Sequence, residues 1–117
     1  MLEKTQEKVK TTAQLSVSEA EEALKLTIVF KAVANKTRIT VLHLLYKNGE
    51  MNVNDICRKV KCEQSLVSHH LSGMRNLGIL KIRREGKNIY YSLNNLKLYE
   101  AMLNVKDVHF ATFKSIS

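Results

Sequence analysis

Gln64-Ser65-Leu66-Val67-Ser68-His69-His70-Leu71 is the stretch on which the fold of this chain turns. At helical spacing Val67, Leu71 and Met74 gather on one side of a helix running from Gln64 to about Asn76, while Ser65, Ser68, His69, Ser72 and Arg75 gather on the other. The apolar back needs a core, and the small, hydrogen-bonding, basic front is left for a partner. Just upstream, Lys61-Cys62-Glu63 leaves room only for a tight turn. Before that turn, Asn52 followed by Asp55 has the capping logic of a short helix from Val53 to Val60, with Val53, Ile56, Cys57 and Val60 facing inward. Two helices joined so closely cross at a steep angle, which is a helix-turn-helix.

Beyond Leu77-Gly78-Ile79 the period changes from near four to two. Leu80, Ile82 and Arg84 alternate with Lys81 and Arg83; Glu85-Gly86-Lys87-Asn88 supplies turn chemistry; Ile89, Tyr91 and Leu93 alternate with Tyr90 and Ser92. The spacing predicts a β-hairpin over 80–93, a wing with Arg84 and Lys87 at its tip. On the other side, Asn35 is placed to cap a core helix from Lys36 to Lys47 that Gly49 ends, with Ile39, Leu42 and Leu45 on one stripe and Val41 and Leu44 beside it. Ser18 with Glu21 fits a capping box for a first helix to about Ala34, continued by Ala20, Leu24, Thr27, Ile28 and Lys31. Asn94 or Asn95 is placed to cap a last helix striped by Leu98, Met102 and Val105, whose patterning fades from His109. The expected class is mainly α with a small β-hairpin wing, a winged helix-turn-helix. Residues 1–17 read as a flexible arm, 18–112 as the winged domain with its terminal helices, and 113–117 as a tail.

Charge concentrates where the motif lies. The chain carries 19 Lys and Arg against 11 Asp and Glu, a formal +8. Eleven of those bases and only four of the acids fall between residues 36 and 92, the footprint of a surface that neutralises phosphates. The front of helix 64–76 is therefore expected to enter a DNA major groove through Gln64, Ser65, Ser68, His69, Ser72 and Arg75, with Gln suited to a bidentate contact with adenine. Lys81, Arg83, Arg84 and Lys87 are expected on the backbone or in the minor groove.

The first and last helices hold more apolar residues than so small a domain can cover. A two-fold homodimer through Leu24, Ile28, Leu98, Met102 and Val105 is expected to bury them, setting two recognition helices about 34–36 Å apart on a near-palindromic duplex. Two rival readings remain: a module whose terminal helices bind a partner protein, and a coater of any duplex. The first gives no reason for the helix front and the wing to be basic together. No apolar run approaches the ~20 residues of a membrane span and no signal-peptide core opens the chain, so a soluble cytoplasmic protein is expected. No nucleophile stands with a base and no Gly-rich loop is set to cradle a phosphate, which argues against an enzyme and implies no cofactor.

Three stretches of the chain resemble the ArsR/SmtB family of bacterial and archaeal winged-helix repressors. Phe30-Lys31-Ala32-Val33-Ala34-Asn35-Lys36-Thr37-Arg38 is similar to the family's entry to its second helix, Ser65-Leu66-Val67-Ser68-His69-His70-Leu71 to its recognition helix, and Arg83-Arg84-Glu85-Gly86-Lys87 with Tyr90-Tyr91-Ser92-Leu93 to its wing. The resemblance implies a homodimer that occupies an operator until an effector, unidentified here, releases it. Many members sense metals, and their ligands do not carry over. Where the thiolate-site members have Cys-x-Cys this chain has Asn52-Val53-Asn54, and where the last-helix members have an Asp and a His it has Asn95 and Lys97, with Val108 and Ala111 at the second pair. Amides are poor ligands for soft or borderline metals, and a lysine adds repulsion.

Cys57 and Cys62 leave two readings open. Two thiols five residues apart across the turn form a redox switch that tilts the recognition helix, with Arg58, Lys59 and Lys61 near enough to favour thiolate, or they fill small inward positions and are inert. His69 and His70 face different directions on a helix and do not clamp one metal; His70 is expected to pack near the helix-helix junction.

Overall fold

The computed structural model describes residues 14–112. Most of the expected arm and all of the expected tail lie outside that range. The chain's internal contacts divide into two units, residues 1–31 and 32–117.

In the first unit, α1 (Val17–Val33, whose last two residues belong to the second unit) begins two residues earlier than Ser18 and Glu21 predict. The capping box is made by Ser16 and Glu19: the Glu19 N–H donates to Ser16 Oγ at 3.1 Å, and the Ser16 N–H donates to the Glu19 carboxylate at 3.0 Å. The same residue types recur two positions apart, so the pattern fits either register.

The second unit comprises α2 (Lys36–Asn48), β1 (Glu50–Asn52), α3 (Val53–Val60), α4 (Gln64–Asn76), β2 (Leu80–Glu85), β3 (Asn88–Leu93) and α5 (Leu96–Thr112). Asn35 caps α2 by accepting from the Arg38 N–H at 3.1 Å, and Asn52 caps α3 by accepting from the Asp55 N–H at 2.8 Å, both as expected. Lys61 ends α3 in the left-handed region, at φ 56°, and its N–H returns to the Cys57 carbonyl. That cap turns the chain sharply enough for α4 to start three residues later.

Val41, Leu42 and Leu45 of α2, Ile56 of α3, and Val67, Leu71 and Met74 of α4 are sealed from solvent and form the centre of the core. Each such side chain contributes about 1.5–3 kcal/mol by burial. Met51, Leu80, Tyr91, Leu93 and Tyr99 close it from the sheet and from α5. Ile39, expected on the core stripe, is instead exposed, because α2 turns Val41, Leu42 and Leu45 inward.

The sheet is antiparallel in the order β1-β3-β2. Glu85 and Asn88, expected in the turn, pair as the last rung, leaving Gly86-Lys87 as a two-residue turn. Gly86 there has φ 61°, the conformation that a type II′ hairpin asks of its first turn residue. Strand β1 was not expected: three residues with one inward side chain, Met51, are too few to display a period of two. On α5, Asn95 accepts from the Lys97 N–H, and the helix continues past His109 to Thr112. Among the described residues no helix is long and apolar enough to cross a membrane.

Candidate nucleic-acid interface

Helix α4 is held rigidly from behind. Besides its sealed apolar residues, His70 is buried, and its Nδ1 accepts from Arg38 Nε at 3.0 Å. Arg38 Nη1 donates to the Ala32 carbonyl at 2.8 Å, so one guanidinium joins the end of α1, the start of α2 and the middle of α4. A ring nitrogen that accepts from Arg cannot carry a proton, which puts the His70 proton on Nε2. Burial first, then the Arg38 and His69 charges, hold its pKa below the ordinary histidine value. Gly73 lies beside the same guanidinium; a Cβ there would stand 2.7 Å from Arg38 Nη2. In the sequence Arg38 stands out only within the stretch that resembles the family; its reach to a histidine 32 residues away has no local signature.

In front, Gln64, Ser65, His69, Ser72 and Arg75 are exposed as expected, and Ser68 is half-buried at the edge of that face. Glu63, at the N-cap, makes no side-chain hydrogen bond to the helix, so it leaves the first-turn amides of α4 uncapped, a setting that suits a phosphate oxygen. Beside this end lies a shallow hollow of about 190 Å³ lined by Asn52, Val53, Asn54, Gln64, Lys87, Asn88 and Ile89. It brings the wing turn to the start of the recognition helix. Asn54, at the start of α3, and Asn88, at the start of β3, were not expected at this edge, since only the folded sheet brings the hairpin beside α3.

The four wing bases do not have equal freedom. Lys81, Arg83, Arg84 and Lys87 are all exposed, but their partners differ. Arg83, expected to touch DNA, donates to both Glu50 carboxylate oxygens, at 2.9 and 3.0 Å, and to Glu85 at 2.7 Å, and its guanidinium lies 4.7 Å from the Tyr90 ring centre. The hydrogen bonds from Arg83 hold the Glu50 carboxyl below its usual range, and both carboxylates favour a charged Arg83. A groove contact by Arg83 therefore competes with two carboxylates already in place.

Cys57 and Cys62 are both free thiols, half-buried against the core. The residues at the family's metal positions do not fit a metal: Asn52 Oδ1 is engaged in capping α3 and Asn95 Oδ1 in capping α5, and amides match soft cations poorly. No cluster of three or more His, Cys, Asp or Glu suited to a metal ion occurs among the described residues. Of the residues expected at a dimer contact, Leu24, Ile28 and Val105 are exposed, while Leu98 and Met102 are half-buried against the chain's own core.

A helix-turn-helix with an uncovered polar front, flanked by a basic β-hairpin, defines the winged helix-turn-helix class. Residues 35–81 match the family described as bacterial regulatory protein, arsR family, and the chain belongs to that family. It is 42% identical over 67 residues to the cadmium resistance transcriptional regulatory protein CadC homolog of Staphylococcus aureus, a match covering 57% of this chain and 55% of that one. It is 41% identical over 70 residues to the transcriptional repressor PagR of Bacillus anthracis, covering 60% and 70%. The homodimeric winged helix-turn-helix DNA-binding domain Mb0332 from Mycobacterium bovis superposes with a TM-score of 0.71 at 28% identity, covering 84% of this chain and 93% of that one.

Proposed function

We propose that the chain is a sequence-specific transcriptional repressor, acting in the cytoplasm as a homodimer on a near-palindromic operator. Helix α4 lies in the major groove and reads bases through Gln64, Ser65, Ser68 and His69, with Ser72 and Arg75 beside them. Lys81, Arg84 and Lys87 of the wing contact the backbone or the minor groove. The observation that carries this reading is the division of α4, with Val67, Leu71 and Met74 sealed behind and an uncovered polar face in front, next to exposed wing bases. The dimer forms through α1 and α5, and residues 18–112 work as one winged domain. Supporting it are the exposed Leu24 and Ile28 on α1, Val105 and Val108 on α5, and the Mycobacterium bovis relative described as homodimeric. A small ligand releases the operator, with thiol chemistry at the free Cys57 and Cys62 as the alternative, in preference to a metal at the family's known positions.

Selection of bound duplexes from a random library tests the proposal. The expected result is an enriched near-palindrome held ~10³-fold or more tighter than its scramble at physiological salt. Ser68→Ala and His69→Ala are expected to relax base preference, while Arg84→Gln weakens binding to every duplex and flattens the salt dependence. Binding that merely tracks salt, with no enriched site, overturns it.

A further inference from the structure

The position of Arg83 in the sheet separates it from the other wing bases. Arg83 on β2 faces Tyr90 on β3, which faces Asn52 on β1; two rungs away, on the same face, Lys81, Ser92 and Glu50 are aligned. The two strands are two strand spacings apart, about 9.6 Å, and the Arg83 and Glu50 side chains together bridge that width over β3. Arg83 passes over the Tyr90 ring on the way and ends in a two-pronged bond with the Glu50 carboxylate. A planar guanidinium gripping both oxygens fixes direction as well as distance, which one lysine amine cannot do. Glu85, two residues along β2, holds the remaining edge of the guanidinium.

The anchor matters because of the segment it holds. Glu50 opens β1, and β1 runs directly into Asn52, the cap of α3. Arg83 thus joins the outer strand of the wing to the segment that launches the helix-turn-helix. Backbone pairing alone leaves a narrow sheet free to twist, and an ion pair reaching across all three strands opposes that twist.

We propose that Arg83 is a positioning residue, which sets the wing's angle against the helix-turn-helix through Glu50 and is not one of the phosphate contacts. The proposal rests on the DNA-binding reading above. It makes Glu50, a carboxylate on a basic surface, a contributor to DNA affinity, opposite to the effect of its charge alone.

The test measures affinity of the full chain for the selected operator duplex across a series of salt concentrations, for wild type, Arg83→Lys, Arg83→Gln, Glu50→Gln and the Arg83→Lys, Glu50→Gln double variant. Each single variant is expected to bind about fivefold more weakly with the wild-type salt slope, and the double variant no more weakly than either. Removing a phosphate contact lowers the slope by ~0.9, so the comparison is direct. Wild-type affinity in Arg83→Lys, a reduced slope in Arg83→Gln, or tighter binding by Glu50→Gln overturns the proposal. Amide exchange in the free protein is the second readout: Glu50→Gln is expected to speed exchange along 80–93 while the α4 amides stay unchanged. Should wild type bind no duplex, the functional reading falls, and the exchange experiment still decides whether Arg83 braces the wing; unchanged exchange overturns that as well.

Discussion

Helix α4 closes its apolar side within the chain, with Val67, Leu71 and Met74 at 0% exposure, whereas α5 leaves Val105 at 60%, Val108 at 68% and Phe110 at 50%. Both helices read as amphipathic, yet only the first covers its whole inward stripe among its own neighbours, leaving just Leu66, 45% exposed, open on its flank. The start of α5 does pack inward: Tyr99 is buried, its hydroxyl lies 3.1 Å from His43 Nδ1, and its ring meets that of Tyr46. Beyond it, Asn104, Val105, Val108, His109 and Thr112 border an open, largely apolar groove along the helix. The two helices divide the tasks. Residues on the front of α4 can change without touching the fold, because nothing on that face supports the core. The far half of α5 adds little to the fold and needs a cover from elsewhere.

Four measurements probe that contrast. Leu71→Ala is expected to have the largest effect, a loss of about 2–5 kcal/mol in chemical denaturation, since it opens a cavity behind the recognition helix. Gly73→Ala comes next, at about 1 kcal/mol in the same experiment: the new methyl meets the Arg38 guanidinium, which must give up part of its grip on His70 or Ala32, and the gain in helix propensity offsets part of that loss. A smaller effect belongs to His70 itself. Its pKa is lowered in the fold, so the unfolded chain binds the proton more readily, and stability rises with pH across the interval between the two values. That contribution is complete above the ordinary histidine value, about 6.5, and is lost as pH falls through the lowered folded value. His70→Asn, which retains an acceptor near the position of Nδ1, is expected to flatten this part of a stability-against-pH curve. The smallest effect on the protomer's fold is expected from Val105→Glu with Val108→Glu, about 0.5 kcal/mol or less. Sedimentation of that variant is instead expected to show loss of the dimer; an intact dimer would show that α5 is covered in some other way.

Much of the architecture was legible in the sequence, for local reasons. Asn35 and Asn52 mark helix starts because each cap forms within three residues, and the bounds of α3 and α4 agree with the pattern. The hairpin was legible because two runs of period two flank a glycine turn. The features that escaped notice depend on distant partners. Strand β1 exists only because β3 lies beside it, and alternation cannot distinguish Arg83, committed to a carboxylate 33 positions upstream, from its exposed neighbour Arg84. The candidate site was legible to a similar degree. The outward face of α4 comes from helical spacing, while Asn88 joins its edge only through the folding of the wing.

The Glu50–Arg83 pair also bears on how such proteins can be recombined. A wing looks like an interchangeable hairpin, a cassette bounded by residues 80 and 93 that one regulator could lend to another. Here one foot of that cassette stands on residue 50, outside it and earlier in the chain. A transplant that carries the hairpin alone brings a strut without its footing, so the transferable part is the whole three-stranded sheet together with the turn that leads into α3.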